Sequence, residues 1–250
     1  MKPWNVAFPY PQEVIFEREF FSGASKKMRE FTIYLPPYNG LDRLEIGLST
    51  NARIEKPSPH ILKKPVVFYG TSITQGGCIH TPGSDYPSLV GRALNLDIVN
   101  LGFSGNGTGE PEMAKLVSEI DASAFVLDYV ANAGLEGTKK TLPSFYKTLR
   151  AKHPKTPIIL ITLFPFDRTT FVPQERVGHE QMRDAIIHFY SKMRQKGDLN
   201  IHFVDGNSLV PYGSQLAHAD GNVHLTNVGF SMMAKALAPA LDYILLSNLE

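Results

Sequence analysis

Apolar and polar positions follow two different periods along the chain, and the change of period divides it. Between residues 13 and 50 the period is two. Phe31, Ile33 and Leu35 alternate with other residues, as do Leu44, Ile46 and Leu48, and Pro36-Pro37-Tyr38-Asn39-Gly40 lies between the runs. Alternation around a Pro/Asn/Gly cluster predicts a β-hairpin with one apolar face. Glu13 to Phe20 adds a candidate third strand. Residues 51–64, with two prolines and mixed charge, have the composition of a linker.

From Pro65 onward, short apolar runs alternate with helical patterns. The runs predict strands at Val66–Tyr69, Asp97–Leu101, Ala124–Tyr129, Ile158–Leu163 and Ile201–Val204. The intervening patterns predict helices at Ser84–Leu94, Pro111–Ile120, Leu142–His153, Gly178–Lys196 and Thr226–Leu246, the last kinked or broken at Pro239. Strands alternating with helices imply a five-stranded parallel sheet covered on both faces, a three-layer α/β/α domain. The expected organisation is therefore a short β region with linker over 1–64 and an α/β domain over 65–250. Ligands of such sheets bind beyond the carboxyl ends of the strands, which directs attention to the loops starting at Gly70, Gly102, Val130, Phe164 and Asp205.

Composition narrows the partners. At 43% hydrophobic and 20% charged residues the chain has the balance of a globular protein. A net charge of +1 with no long run of one sign argues against a nucleic-acid surface. The single cysteine, Cys78, leaves no internal disulfide and no all-cysteine metal site. No stretch approaches ~20 consecutive apolar residues, so no membrane span is expected. Residues 1–12 hold one Lys, three prolines and no apolar h-region, unlike a signal peptide, and the compartment stays open.

Four loops carry candidate chemistry. Tyr69-Gly70-Thr71-Ser72-Ile73-Thr74-Gln75-Gly76-Gly77 puts a Ser just past a buried strand, where a tight turn can expose its hydroxyl. Taken alone such a loop is more often an ordinary turn. It is not a P-loop, because no Lys-Ser/Thr follows the last Gly. Nor is it the α/β-hydrolase elbow, because Thr74 stands where that motif has Gly. Asn100-Leu101-Gly102-Phe103-Ser104-Gly105-Asn106-Gly107-Thr108-Gly109 has four glycines that let backbone N–H groups approach an anion. Their spacing is not the dinucleotide fingerprint. Leu127-Asp128-Tyr129-Val130-Ala131-Asn132 ends in an Asn able to donate to an oxyanion, although a lone loop Asn is usually a turn former. Asp220-Gly221-Asn222-Val223-His224 offers an acid that can orient an imidazole and leave its Nε2 as a base.

The order of these residues, Ser72, Gly105, Asn132 and His224, each near a different strand end, resembles the SGNH hydrolases, or GDSL-like esterases and lipases. The resemblance is closer to a subfamily with Tyr-Gly-Thr-Ser-Ile-Thr-Gln-Gly-Gly and Asn-Leu-Gly-Phe-Ser-Gly-Asn-Gly, strings that stand here at 69–77 and 100–107. It runs from roughly Arg29 to Leu241. It implies the flavodoxin-like SGNH fold, with Ser72 as nucleophile, His224 as general base and Asp220 orienting His224. The oxyanion hole would combine the N–H groups of Ser72 and Gly105 with the Asn132 side chain.

Two departures concern the acid. The family usually places Asp three residues before the His, where Gly221 stands, and Leu225 replaces the usual Pro after it. Asp205, at the last strand's end, is a substitute candidate. Close relatives carry a complete β-sandwich before the hydrolase, and residues before 65 resemble only its final strands.

The expected function is hydrolysis of a carboxylic ester through an acyl-Ser72 intermediate, with no metal or cofactor. The resemblance leans toward an acylated carbohydrate or another small acyl ester. An acyltransferase using the same Ser-His pair and a non-catalytic binding module are the alternatives. Leu163 to Phe171 is too apolar for a plain solvent loop, so Phe166 or Phe171 is a candidate for the substrate rim; the alternative is that both pack the loop. An apolar hairpin face has to be covered, by its own domain or by a second copy, and a homo-oligomer through these strands is the expected outcome.

Overall fold

A computed structural model describes residues 17, 19, 22–25, 27–219 and 223–246. Five parallel strands form one sheet: β1 (Val66–Gly70), β2 (Ile98–Gly102), β3 (Ala124–Asp128), β4 (Ile158–Ile161) and β5 (Ile201–Val204), in the order β2-β1-β3-β4-β5. All five lie where the apolar runs predict them. β1 and β3 are buried along their whole length and pair residue for residue, from Val66 with Ala124 to Gly70 with Asp128. Strands covered on both faces are continuously apolar, which is why period-two alternation is absent here.

Alternate residues of β1 feed two cores. Val66 and Phe68 pack into one with Tyr86, Val90, Phe230, Met233, Leu237 and Leu241. Val67 and Tyr69 pack into the other with Val117, Leu142, Phe145, Leu149 and Ile186. The first face is covered by α2 (Tyr86–Leu94) and α8 (Asn227–Leu246), which pack on each other. The second is covered by α3 (Pro111–Val117), α4 (Val130–Lys152) and α6 (Pro173–Gln195). Full burial of each large apolar side chain contributes about 1.5–3 kcal/mol, so these two layers dominate stability. Among the described residues α8 is long and apolar enough to cross a membrane, yet it buries Phe230, Met233, Leu237 and Leu241 in the core.

The helices differ from the sequence expectation in instructive places. α4 starts twelve residues early, because Gly134, at φ 63° and ψ −176°, interrupts the helical period between a first turn and the main body. α6 starts at Pro173, a residue suited to a first helical position because its missing N–H is not needed there. α8 runs through Pro239 without a break. Pro239 and Lys235, whose carbonyl the proline leaves without a donor, are both exposed, so water can serve that carbonyl. Three one-turn helices, α1 (Ser72–Gln75), α5 (Asp167–Phe171) and α7 (Gly206–Leu209), are too short for any period to reveal.

The β-hairpin is the main correction. No strand is assigned anywhere in the described residues before Val66, and the third candidate strand falls largely outside them. Phe31, Ile33, Leu35, Leu44, Ile46 and Leu48 are exposed. Alternation specifies which side chains share a face but supplies no ladder partner, and a two-stranded ribbon is marginal in water. Side chains anchor the segment instead: the Tyr34 ring lies 5.0 Å from the Arg92 guanidinium, and the Pro37 carbonyl accepts from Gln75 Nε2 at 2.7 Å.

Candidate active site

The strand order reverses direction between β1 and β3, and at such a switch point the loops diverge to leave a crevice. β1 leads into α1, which begins at Ser72. Thr71 caps it, its hydroxyl accepting from Ile73 N, and Gly76 closes it in the left-handed conformation. As the first helical residue, Ser72 has an N–H with no intrahelical partner.

The turn is held from three sides. Thr74 Oγ1 donates to Asp128 Oδ2 at 3.3 Å, and Tyr86 OH donates to the same oxygen at 2.9 Å. Asn100 Nδ2 donates to the Thr74 carbonyl at 2.7 Å. Thus Asp128 of β3 holds the Thr74 hydroxyl, Asn100 of β2 holds the Thr74 carbonyl, and Tyr86 of α2, 3.2 Å from Thr74 Oγ1, braces both Asp128 and that hydroxyl. Asp128 is buried with only hydroxyl partners, and burial raises its carboxyl to about 7 against the opposing pull of those hydrogen bonds. Burial, followed by the Asp128 charge, also pushes the Tyr86 phenol upward.

The Gly-rich loop after β2 packs directly on this turn. A Cβ on Gly107 would stand 2.0 Å from the Gly70 carbonyl oxygen, so only glycine permits the approach. Phe103 N also donates to that oxygen, at 2.9 Å. Gly105 has φ 71°, placing it in the left-handed region. The loop's far end is set by Tyr69, whose hydroxyl accepts from Gly109 N at 3.0 Å and donates to Glu110 Oε2 at 3.1 Å.

Asn132 lies in the first turn of α4, just past β3. Its Oδ1 is buried with no hydrogen-bond partner among the described residues. Leaving such a group unpaired costs about 1–3 kcal/mol.

His224 completes the group. Its Nε2 is 3.0 Å from Ser72 Oγ, across 152 residues of sequence. An antiparallel bridge between His218 and Leu225 shapes its loop, with Ala219 N donating to the His224 carbonyl at 2.8 Å. Thr226 N donates to the Ala217 carbonyl at 2.8 Å, and Thr226 Oγ1 accepts from Gly229 N at the start of α8. The His is therefore presented by a loop stitched to the helix behind it.

Asp220 lies outside the described residues. Asp205 caps α7, and Arg183 grips it with Nε at 2.9 Å and Nη2 at 2.7 Å, which lowers its carboxyl below the usual range. Phe166 packs edge-on against Phe164 and His179, with ring centroids at 5.4 and 4.4 Å. Burial there lowers the His179 imidazole to about 4. Phe171 is exposed at the end of α5. The sequence reading missed Asp128, Tyr86 and Gln75. Asp128 could have been noticed as a charged residue closing an otherwise apolar strand.

Residues 63–242 match the model of the GDSL-like Lipase/Acylhydrolase family. The chain belongs to that family. Residues 4–54 match a second model, the N-terminus of SGNH-hydrolase-type esterases. A GDSL-like lipase from Bacteroides ovatus is 36% identical with TM-score 0.77, over 85% of this chain and 62% of that one. A salicylyl-acyltransferase from a tetracycline biosynthetic pathway is 23% identical with TM-score 0.65, over 76% of this chain and 57% of that one. A family two carbohydrate esterase from Clostridium thermocellum, solved with cellohexaose, is 17% identical with TM-score 0.58, over 76% and 66% of the two chains. The last two share the fold. The chain spans less than two thirds of the length of each of these three. No curated protein matches it.

Proposed function

We propose that this GDSL-family protein is a serine esterase that cleaves a carboxylic ester through an acyl-Ser72 intermediate. The observation that carries the reading is the 3.0 Å contact between His224 Nε2 and Ser72 Oγ at the sheet's switch point. A serine hydroxyl is a weak nucleophile at neutral pH, and a base at hydrogen-bond distance is what activates it.

In the first half-reaction His224 Nε2 takes the Ser72 proton as Oγ attacks the ester carbonyl carbon. The oxyanion that forms is met by the N–H groups of Ser72 and Gly105 and by the Asn132 side chain, donors fixed before the reaction begins. Collapse expels the alcohol, which receives the proton from His224 and leaves acyl-Ser72. Water then repeats the sequence, releasing the carboxylic acid and restoring Ser72. An alcohol in place of water would make the same machinery an acyltransferase. The substrate class that fits is an acylated carbohydrate or another small acyl ester, consistent with the exposed polar residues Ser104 and Asn106 on the Gly-rich loop.

Fluorophosphonate labelling followed by peptide mapping tests the nucleophile. The label is expected on Ser72, with Ser72→Ala unlabelled, inactive on p-nitrophenyl acetate and unchanged in its unfolding midpoint. Labelling elsewhere, or retained turnover in Ser72→Ala, refutes the assignment. The same assay with added alcohols separates hydrolysis from transfer, because a transferase yields a new ester.

A further inference from the structure

The segment that precedes the α/β domain reaches the catalytic pair. A Cβ built on Gly77 would lie 2.9 Å from His224 Cδ2, 3.1 Å from the Tyr38 hydroxyl oxygen and 3.2 Å from the Ser72 carbonyl oxygen. The Tyr38 phenol and the His224 ring edge thus flank one glycine. Only because that glycine lacks a side chain do the three groups converge.

Tyr38 is not placed there by a free loop. Pro36 and Pro37 precede it and restrict the backbone. The Pro37 carbonyl accepts from Gln75 Nε2 at 2.7 Å, and Gln75 Oε1 accepts from Ser104 N at 2.8 Å. One amide, on the last residue of α1, therefore ties the N-terminal segment to the loop that carries Gly105. Four residues upstream, Tyr34 covers Gly83 and lies over Arg92. Tyr34 is spent on anchoring. Tyr38 is not: its side chain is half exposed, and its hydroxyl has no hydrogen-bond partner among the described residues.

Its position assigns it to one end of the substrate. In the proposed reaction the leaving oxygen takes its proton from His224 Nε2. Cδ2 is bonded to Nε2 in the imidazole ring, so Tyr38 stands beside the edge that delivers this proton. The alcohol half of the ester has to pass that edge, whereas the acyl half hangs from the carbon bonded to Ser72. An aromatic face with a free hydroxyl suits a partner that presents C–H faces and hydroxyls together, as a pyranose does.

We propose that Tyr38 is a specificity-determining residue that binds the alcohol portion of the ester, and that this alcohol carries hydroxyl groups, as a sugar does. The proposal rests on the esterase reading above. Wild type, Tyr38→Phe and Tyr38→Ala are compared on two acetate esters, p-nitrophenyl acetate and an acetylated pyranoside. One hydrogen bond is worth about 1 kcal/mol, so Tyr38→Phe should lower the ratio of kcat/KM for the pyranoside to that for p-nitrophenyl acetate about fivefold. The loss should appear mainly in KM for the pyranoside, and Tyr38→Ala should lower the ratio further. A ratio unchanged in both variants overturns the role of Tyr38, and a wild type that does not turn over the pyranoside overturns the alcohol class. Fluorophosphonate labelling of wild-type Ser72 keeps the two readings apart. If Ser72 labels and the ratio does not move, this proposal alone fails; if Ser72 does not label, the esterase reading falls and takes the proposal with it. Equal unfolding midpoints for the three proteins confirm that the ratio reports binding.

Discussion

Asp128 is the buried acid on which the Ser72 turn leans, and its titration has a calculable effect on stability. Burial raises its carboxyl from 3.8 to about 7 in the folded protein. Between those values the folded protein keeps a proton that the unfolded chain has released. Stability therefore falls as pH rises through this window and is independent of this group above about 7. Each pH unit removes about 1.4 kcal/mol, so the whole span removes at most roughly 4 kcal/mol. Asp128→Asn abolishes the titration while keeping a side chain able to hydrogen-bond Tyr86 and Thr74. Other groups titrate alike in both proteins and cancel in the difference. In a protein of this size 1 kcal/mol moves Tm by about 2–4 °C. Relative to wild type, the variant's Tm should thus rise by on the order of 10 °C from about pH 4 to about pH 8, read by differential scanning calorimetry. Parallel Tm profiles for the two proteins across that range would show that Asp128 ionises normally, and the reasoning would be wrong.

Three further outcomes follow from the site. Asn132→Ala should lower kcat by ~10²–10³ with little change in KM, because in the proposed mechanism its side chain acts on the oxyanion rather than the bound ester; an effect confined to KM would make it a substrate-binding residue. Asp205→Asn should cost about 1 kcal/mol in a urea denaturation curve through its Arg183 pair and barely alter kcat, whereas Asp220→Asn should lose most of kcat. The reverse ranking would identify Asp205 as the acid. Gly107→Ala forces a Cβ against the Gly70 carbonyl, so it should destabilise the protein by about 1–3 kcal/mol and depress kcat with it; wild-type behaviour in both assays would refute the close approach.

Much of this arrangement is legible in residue patterns because burial leaves a one-dimensional trace. Val66–Tyr69 and Ala124–Leu127 are apolar throughout because both faces of the sheet are covered, and the positions of Ser72, Gly105 and Asn132 follow from where those runs stop. One-turn helices such as α1 leave no such trace, since four residues complete little more than one period. The grip of Arg183 on Asp205 joins residues from different elements, and neither residue type is unusual in its own segment. The N-terminal segment misled for a different reason. Its alternation is genuine, but whether alternation becomes a ladder depends on a partner strand that local sequence does not encode. Tyr38, in the cluster expected to be a hairpin turn, reaches the catalytic pair only through the fold of residues far from it.

The contact between Ser72 and His224 joins the first strand's end to the entrance of the last helix, 152 residues apart. Local sections of the chain can collapse early, but a contact of such separation waits for the intervening chain to be ordered. On the proposed mechanism, reactivity of Ser72 is consequently a clock for the final stage of refolding. Helical signal should recover first, while labelling of Ser72 returns only when α8 docks and carries the His224 loop into place.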